Sequence, residues 1–376
     1  MGVDISGLRG HTAGVSRYVL NMLTEMMVAE PRLRFILYAA SEFTFPLPPG
    51  NWRVRHGSGP LRRYPGFWVQ RDLPGLLASD RVDIFWGQNH LVPVKLRRPC
   101  FRVATIHDVA VYVVPETMPL KSRISMRCLL ASAARCSDLV IAVSRATERL
   151  VRTLLRVSPA KTRMIYEGCG GGLGFANREE AAEAVRQRLS LDPGYVLNVG
   201  TIEPRKDLPV LLHALRRLDK PPLLVVVGDL GWRHPGILRQ IAREQRSGRV
   251  RYLGRVSDDD LRMLYGAAAL SVYPSMYEGF GLPVLEAMAG GCPVLCSWSS
   301  SLPEVGGRAA EYFLPRSDAD LAAKLQILLS DPAVLDRMRQ DGLVRAGSFS
   351  FRRSAEQFLD VVEEAIRVWP RRGELP

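Results

Sequence analysis

The sequence predicts an α/β protein with two doubly wound parallel sheets, each in its own domain. Two observations carry this prediction. Short, continuous apolar runs alternate with amphipathic runs along almost the whole chain, which is the pattern of β-α-β units stacked on buried parallel sheets. The chain also has 376 residues, 47% of them hydrophobic, which is enough for two cores of ordinary domain size.

The first domain is assigned to residues 1–170. Its strands are expected in the runs VDI, FILYAA, VDIFWG, FRVATIHD, DLVIAVS and TRMIY, and its helices over 14–29, 121–135 and 145–156. The opening strand is short because Met1 stands almost inside it, which is compatible with a start a few residues upstream. The stretch EGCGGGLGFANREE, 167–180, has the glycine density of a linker, and we expect the interdomain hinge there.

The second domain is assigned to residues 190–350, where the alternation is clearer. Strands are expected in YVLNVG, PLLVVVGD, VRYLGRV, LSVYPS and PVLCSW, and helices in LPVLLHALRRL, 236–246, DDDLRMLYGAA and PVLEAMAGG. This order predicts a Rossmann-like domain. Residues 351–376 contain a terminal helix that we expect to pack back onto the first domain.

Composition restricts the class of protein. No apolar run is long enough to span a membrane, and the opening MGVDISGLRG lacks the basic flank and apolar core of a signal peptide, so we expect a cytoplasmic protein. The 6 cysteines form no C-x-x-C pair and indicate reduced thiols.

The net charge of +13 is concentrated in the first half, where residues 1–170 hold 24 Lys or Arg against 12 Asp or Glu. This positive charge would suit a partner that is nucleic acid, an anionic membrane or a phosphorylated acceptor. The simpler interpretation is a solvated arginine-rich surface. The arginines are scattered over many predicted helices without a nucleic-acid-binding motif, so we expect no nucleic-acid partner.

One basic segment, NWRVRHGSGPLRRYPGFWVQR at 51–71, interleaves cations with aromatic rings. Arginines beside interfacial aromatics suit a surface that rests on lipid headgroups. We therefore expect peripheral association with the inner face of an anionic membrane; the alternative is that the rings cover the domain's own core. The residues concerned are Arg53, Arg55, Arg62, Arg63, Arg71, Trp52, Tyr64, Phe67 and Trp68.

The stretch SMYEGFGLPVLEAMAGG, residues 275–291, joins the end of a predicted strand to the start of a predicted helix at Pro283. The amino terminus of a helix offers N–H groups and partial positive charge to a phosphate, and the two glycines let the backbone approach a ligand. Here Glu286 could accept hydrogen bonds from a ribose diol, and Glu278 could hold hydroxyl groups of a transferring sugar. Each glutamate could instead have a purely structural role: Glu278 could cap a turn, and Glu286 could complement the helix dipole.

The longer stretch YEGFGLPVLEAMAGGCPVLCSWSSSLPEV resembles the E-x7-E region of the retaining family 4 glycosyltransferases. The resemblance implies the GT-B fold, in which two Rossmann-like doubly wound domains face each other across a cleft. It assigns acceptor binding to the first domain and nucleotide-sugar binding to the second. It also implies donor contacts from Gly279, Phe280, Gly281 and Leu282, beside the two glutamates.

Four further segments carry the resemblance. VGTIEPRKDLPVLLHAL looks like the family's donor-pyrophosphate segment, with Arg205 and Lys206 beside the phosphates, where fixed cations stabilise a departing diphosphate. In ATIHDVAVYVVPE, His107 would lie next to the donor sugar, and in GLRGHTAGVSRYVLNML, Gly14 would let the diphosphate approach. In DLVIAVSRATERL, Ser144 is expected only to cap a helix.

Departures from the family pattern are local. The usual NGV after the interdomain strand is EGCGGG here, and an acidic residue often found after PEV is replaced by Arg308. No conspicuous carboxylate nucleophile is expected near the strand ends of the first domain. The acidic cluster at Asp258 and Asp260 follows a serine and reads as a capped helix start, so we expect no catalytic metal.

The resemblance implies retaining transfer of a hexose to a hydroxyl of a saccharide or lipid-linked acceptor in surface polysaccharide assembly. The segments look most like mannosyltransferases, so the expected donor is GDP-mannose as co-substrate, with no cofactor; a UDP- or dTDP-sugar is the alternative. A nucleotide-sugar epimerase of the same architecture gives no reason for the paired glutamates. A phosphorylase would need a lysine-bound pyridoxal phosphate, for which the sequence offers no candidate site.

Overall fold

The computed structural model describes residues 1–6, 8, 14–40, 47, 49–57, 64–170, 177–367 and 369. The chain forms two compact units. Unit 1 contains Met1–Tyr112, Ile124–Gly168 and the chain from Ser350 onwards, and unit 2 contains Val113–Arg123 and Cys169–Phe349. The sequence placed all of 1–170 in one domain, whereas residues 113–123 belong to unit 2.

Parallel strands and helices alternate along the described residues. The strands are β1 Gly2–Asp4, β2 Phe35–Ala39, β3 Trp52–His56, β4 Ile84–Gly87, β5 Phe101–Ile106, β6 Leu139–Ala142, β7 Thr162–Met164, β8 Val196–Val199, β9 Leu224–Val227, β10 Val250–Gly254, β11 Leu270–Tyr273, β12 Val294–Ser297 and β13 Ala310–Phe313. The helices are α1 Val15–Ala29, α2 Pro65–Arg71, α3 Leu73–Ser79, α4 Ala110–Val113, α5 Leu120–Cys136, α6 Arg145–Leu154, α7 Arg178–Leu189, α8 Leu208–Arg216, α9 Pro235–Arg246, α10 Asp258–Ala267, α11 Leu282–Ala289, α12 Leu302–Gly306, α13 Asp318–Leu329, α14 Pro332–Ala346 and α15 Phe351–Arg367.

Both sheets are doubly wound, as the alternating apolar runs predicted. In the described part of unit 1 the strand order is β3-β2-β1-β4-β5-β6-β7, and in unit 2 it is β10-β9-β8-β11-β12-β13. Strands β6 and β11 are buried at every position, which fits strands covered by helices on both faces. The strand order reverses between β1 and β4 and between β8 and β11, so these are the points where such sheets bind ligands.

Helix α15 completes the core of unit 1 by packing against α1. Its buried residues Phe351, Ala355, Phe358 and Val362 recur at the three- and four-residue spacing of one helix face. The ring of Phe358 lies 4.5 Å from that of Trp86, between ring centroids. The terminal helix is therefore part of the hydrophobic core of unit 1.

The segment 113–123 is held to unit 2 by polar contacts. Trp232 Nε1 donates to the carbonyl of Thr117 at 3.0 Å, and Arg233 Nη1 donates to the carbonyl of Glu116 at 2.7 Å. The Glu116 carboxylate also pairs with Arg316 Nη2 at 2.8 Å. Three side chains of unit 2 thus bind the segment 113–123, which lies more than 100 residues earlier in the sequence.

Within the described residues, none of the helices combines the length and the apolar character needed to cross a bilayer.

Candidate functional site

The predicted donor residues lie at the carboxyl ends of β8 and β11, where the sheet of unit 2 reverses its strand order. Arg205 and Lys206 occupy a short 3-10 turn, Pro204–Lys206, that follows β8. Glu278 belongs to residues 274–281, here called the site loop, which join β11 to α11. The fold therefore brings together two segments that are more than 70 residues apart in the sequence.

The Glu278 carboxylate bridges both cations. Its Oε1 lies 2.6 Å from Lys206 Nζ, and its Oε2 lies 2.9 Å from Arg205 Nη1. Arg205 also donates to the carbonyl of Tyr277 at 2.8 Å and pairs with Glu203 Oε1 at 2.9 Å. The sequence assigned Glu278 to sugar hydroxyls and gave no sign of this role, in which it positions the two cations.

Burial and charge act in opposite directions on Glu278. Burial alone raises the pKa of this carboxyl, but the charges of Lys206 and Arg205, with hydrogen bonds from Lys206 and Ser275, outweigh it and lower the pKa to about 2. For Glu203, burial dominates over the nearby cations and raises the pKa. Glu278 is therefore ionised and holds Arg205 and Lys206 in place. A phosphate bound here would accept hydrogen bonds from the same two cations.

Gly281 is the N-cap of α11 and has a φ of +110°, a conformation that residues with a Cβ rarely adopt. A Cβ at this position would also meet Leu302 Cδ2 at 2.9 Å. Pro283 stands in the first turn of α11, as expected, and Glu286 is buried within the same helix, 9% exposed. The first N–H groups of a helix have no carbonyl partner within it, so the start of α11 is suited to an anion.

A run of serines after β12 fixes the backbone of the site loop. Ser299 Oγ donates to the carbonyl of Met276, Ser300 Oγ to that of Glu278, and Ser301 Oγ to that of Phe280 at 2.6 Å, with the Glu278 carbonyl 3.0 Å from the same hydroxyl. Because these carbonyls are held by the serines, the loop is stabilised in one conformation. The sequence analysis gave these serines no role; three consecutive serines, one residue after a buried strand, were the available signal.

Two predicted residues belong to unit 1. His107 directly follows β5 and is 7% exposed, and its Nδ1 lies 3.0 Å from Glu167 Oε1. Gly14 is the N-cap of α1 and has a φ of +53°, so the sequence placed it correctly at a helix start. The other predicted site residues, Arg205 to Glu286, belong to unit 2.

Two buried carboxylates, Glu167 and Asp4, lie near strand ends of unit 1, where the sequence offered no conspicuous carboxylate nucleophile. Glu167 follows β7 and is 4% exposed against His107, and Asp4 ends β1 at 2% exposure. Burial, opposed by hydrogen bonds from Ser6, raises the pKa of Asp4 to about 6. Sequence reasoning missed Glu167 because its partner is 60 positions away; the departure from NGV at this point was the signal.

The two helix caps were predicted correctly. Ser144 Oγ accepts from Thr147 N at the start of α6, and Ser257 Oγ accepts from Asp260 N at the start of α10. The acidic cluster at Asp258 and Asp260 is therefore the first turn of a capped helix. Among the described residues, no group of three or more His, Cys, Asp or Glu side chains could hold a metal ion.

The basic segment 51–71 differs from its expected arrangement. Arg53 and Arg55 point from β3 to one carboxylate, Asp80, at 2.8 and 3.1 Å. Trp68 is fully buried, and Trp52 packs partly buried against the core of unit 1. Trp68 was therefore wrongly assigned to a membrane-facing surface, whereas the side chain of Arg53 is 60% exposed. Tyr64 and Phe67 are 61% and 68% exposed, Arg71 is exposed, and Arg62 and Arg63 lie outside the described residues.

Family models match both halves of the chain. The model described as Glycosyltransferase Family 4 matches residues 12–169, and the model described as Glycosyl transferases group 1 matches residues 180–344. The first match covers β2 to β7 of unit 1, and the second covers the whole sheet of unit 2 and contains the Arg205, Lys206 and Glu278 network.

Known proteins agree with these models. The chain is 30% identical to O-antigen chain mannosyltransferase B of Escherichia coli over 92% of this chain and 95% of that protein. The fold matches sucrose-phosphate synthase from Thermosynechococcus elongatus with a TM-score of 0.82, at 22% identity over 98% and 99% of the two chains. It also matches Anabaena HepE in complex with UDP and glucose with a TM-score of 0.76, at 19% identity over 96% and 98%.

The two sheets, the charged site of unit 2 and the relatives over nearly full length agree on one assignment. The chain belongs to glycosyltransferase family 4, has the GT-B fold and is related to mannosyltransferases of polysaccharide assembly.

Proposed function

We propose that this glycosyltransferase moves mannose from GDP-mannose, with retention of configuration, to a hydroxyl of a saccharide or lipid-linked acceptor. The observation that carries this proposal is the pair Arg205 and Lys206, held by the ionised Glu278 beside the start of α11. Two fixed cations at a helix amino terminus are matched to a diphosphate, which is the leaving group of GDP-, UDP- and dTDP-sugars alike.

The donor would be held in two parts. Its diphosphate would accept hydrogen bonds from Arg205, Lys206 and backbone N–H groups at Gly281, and its ribose would bind Glu286. Glu278 keeps both cations in place before the donor arrives, so little reorganisation is needed when charge develops on the leaving group.

In the transfer step, the cations stabilise the departing diphosphate, and a phosphate oxygen accepts the proton of the incoming hydroxyl on the same face of the sugar. The new glycosidic bond forms at the anomeric carbon as its bond to the diphosphate breaks. His107 would position the sugar. The Glu167 carboxylate is bound to His107 Nδ1, which suits it to orienting the ring rather than to attacking the sugar.

Independence from metal is part of the proposal, because the two cations supply the positive charge that a metal ion would otherwise provide. Transfer assayed with EDTA should keep most of its rate. A loss of transfer activity in EDTA that Mg²⁺ restores would overturn the proposed independence from metal and leave the rest of the proposal standing.

Donor identity is supported by the relationship to the E. coli mannosyltransferase, while the HepE structure with UDP marks a UDP-sugar as the competing choice. Calorimetry with GDP and UDP tests this directly, and tighter binding of UDP would replace the GDP-mannose proposal. Incubation with labelled GDP-mannose and UDP-glucose, each with and without octyl α-mannoside, then tests the reaction. Conversion of the nucleotide sugar to its epimer without transfer would indicate an epimerase.

We also propose that unit 1 associates with the inner face of an anionic membrane. Fewer residues support this proposal than the sequence suggested. They are the exposed pair Tyr64 and Phe67, whose ring centroids lie 6.4 Å apart, and the excess of basic residues in the first half. Sedimentation should require anionic vesicles, fall with salt, and weaken in Phe67→Glu. Equal recovery with neutral vesicles would favour an acceptor that is not membrane-bound.

A further inference from the structure

A second polar cluster lies in unit 1, at the carboxyl ends of two neighbouring strands. Gln88 directly follows β4 and His107 directly follows β5, and these strands pair in parallel with Gly87 opposite Ala104. His90 follows two residues after Gln88. Because the carboxyl ends of parallel strands meet at one edge of the sheet, the side chains share the edge where such sheets bind ligands.

The buried polar atoms of this cluster lack partners among the described residues. Gln88 is 2% exposed, yet neither its side-chain oxygen nor its nitrogen has a hydrogen bond. The same holds for Nδ1 of His90, which is 4% exposed, and for Nε2 of His107. An unsatisfied buried polar group destabilises the folded state, and native proteins keep few of them, so these atoms call for a bound partner.

The geometry of the cluster is tight. The rings of His90 and His107 have centroids 6.2 Å apart, and Tyr18 packs its ring edge-on at 4.8 Å from His107. Burial lowers the pKa of His90 to about 4, with Asp108 raising it and His107 lowering it, so the His90 ring is neutral at pH 7.

The turn that presents Gln88 and His90 is strained. His90 has a φ of +57°, in the left-handed region that residues other than glycine rarely adopt. A Cβ on Gly87 would meet the carbonyl oxygen of Leu91 at 2.3 Å. Backbone strain of this kind persists where surrounding structure enforces it, and it is concentrated at functional sites.

The chemistry of these groups identifies the class of ligand. Gln88 offers an amide donor and an amide acceptor, and Glu167 binds Nδ1 of His107, which leaves Nε2 directed elsewhere. Gln88, His90, His107 and Glu167 carry no fixed positive charge. The cluster is therefore poorly suited to a phosphate, in contrast to the site of Arg205 and Lys206 in unit 2. Hydroxyl groups, which both donate and accept, match this set.

We propose that Gln88 and His90, together with Nε2 of His107, bind hydroxyl groups of a sugar ring, and that Glu167 is the positioning residue that orients His107. The inference rests on the proposed transfer reaction. It assigns a specificity-determining role to Gln88 and His90, with the bound ring belonging either to the donor or to the acceptor.

The test compares Gln88→Leu and His90→Asn with wild type in transfer from GDP-mannose to octyl α-mannoside. Leucine approximates the shape of glutamine, and asparagine tolerates the left-handed backbone of position 90. We expect kcat/KM to fall about three- to tenfold per variant, as for one uncharged hydrogen bond, while GDP binding measured by calorimetry is unchanged. A rise in KM for GDP-mannose assigns the ring to the donor, and a rise in KM for octyl α-mannoside assigns it to the acceptor.

Thermal unfolding separates a ligand-binding role from a structural one. Replacing an unsatisfied buried amide with an apolar side chain should leave the melting temperature of Gln88→Leu equal or higher. Gln70→Leu is the matched control: its amide donates to Val92 O and accepts from Val94 N, so this variant should melt lower and keep wild-type kcat/KM.

Wild-type kcat/KM in both cluster variants would overturn the sugar subsite while leaving the transferase assignment intact. A lower melting temperature of Gln88→Leu, with kcat/KM unchanged per folded molecule, would also overturn the sugar subsite and leave the transferase assignment intact. Absence of transfer by the wild-type protein from GDP-mannose and UDP-glucose would instead overturn the proposed function, and the subsite with it.

Discussion

Glu278→Gln should destabilise unit 2 in a manner that depends on pH. The folded protein lowers the pKa of this carboxyl from its ordinary 4.5 to about 2. One pKa unit corresponds to about 1.4 kcal/mol, so the ionised carboxylate contributes about 3 kcal/mol of stability at pH 7. Because the folded pKa is the lower one, this contribution is complete above the unfolded value and is lost as the pH falls towards the folded value.

Urea unfolding of wild type and variant between pH 7 and pH 3.5 measures this effect, with unit 2 followed through hydrogen exchange of peptides from β11. The difference in unfolding free energy should narrow from about 3 kcal/mol at pH 7 to about 2 kcal/mol at pH 3.5. Glu183→Gln is the control: its carboxylate is 58% exposed in a pair with Arg186, and the pair contributes less than about 1 kcal/mol.

Two outcomes would contradict a stabilising role of the Glu278 charge. A difference that stays constant across this pH range would mean that the charge of Glu278 is not what stabilises the site. A difference no larger than that of Glu183→Gln would mean that the two ion pairs contribute little net stability after desolvation.

Three further changes test the site of unit 2. Gly281→Ala imposes a φ of +110° on a residue with a Cβ and should cost about 1–3 kcal/mol in thermal unfolding; unchanged melting would show that the loop relaxes freely. Ser301→Ala leaves the Phe280 carbonyl without its hydroxyl donor, while the Glu278 carbonyl keeps Ser300, and should cost about 1–3 kcal/mol, more than the exposed control Ser330→Ala. Glu286→Ala should weaken GDP binding in calorimetry and leave kcat unchanged, and equal affinity would remove its ribose role.

The sequence predicted the parts of the fold that local signals specify. Buried parallel strands such as β9 read as continuous apolar runs, and a serine before an acidic turn marks the caps of α6 and α10. Strand β3 was missed, because its residues alternate arginine with apolar side chains, which resembled a membrane surface. Arg53 and Arg55 lie on the same face of this strand, and both bind Asp80.

Long-range contacts set the limit of prediction at the site. Arg205, Lys206 and Glu278 were each recognised by their segments, but their mutual ion pairs depend on two loops meeting at one sheet edge. Glu167 and Gln88 were not recognised at all. The departure from NGV marks the position of Glu167, but its contact with His107 and the unsatisfied amide of Gln88 arise only when distant strand ends are brought together.

The route of the chain through its two units has a consequence for synthesis. Unit 1 takes its core from α1 and from α15, whose Phe358 is fully buried, and these helices stand at opposite ends of the chain. While the ribosome is still translating unit 2, unit 1 lacks its closing helix, and the apolar face that α15 covers stays open. Unit 2 receives its last residue, Phe349, before α15 has been made. The half of the protein that is translated first is therefore the half that finishes folding last, and a nascent chain arrested before Phe351 should expose an aggregation-prone face.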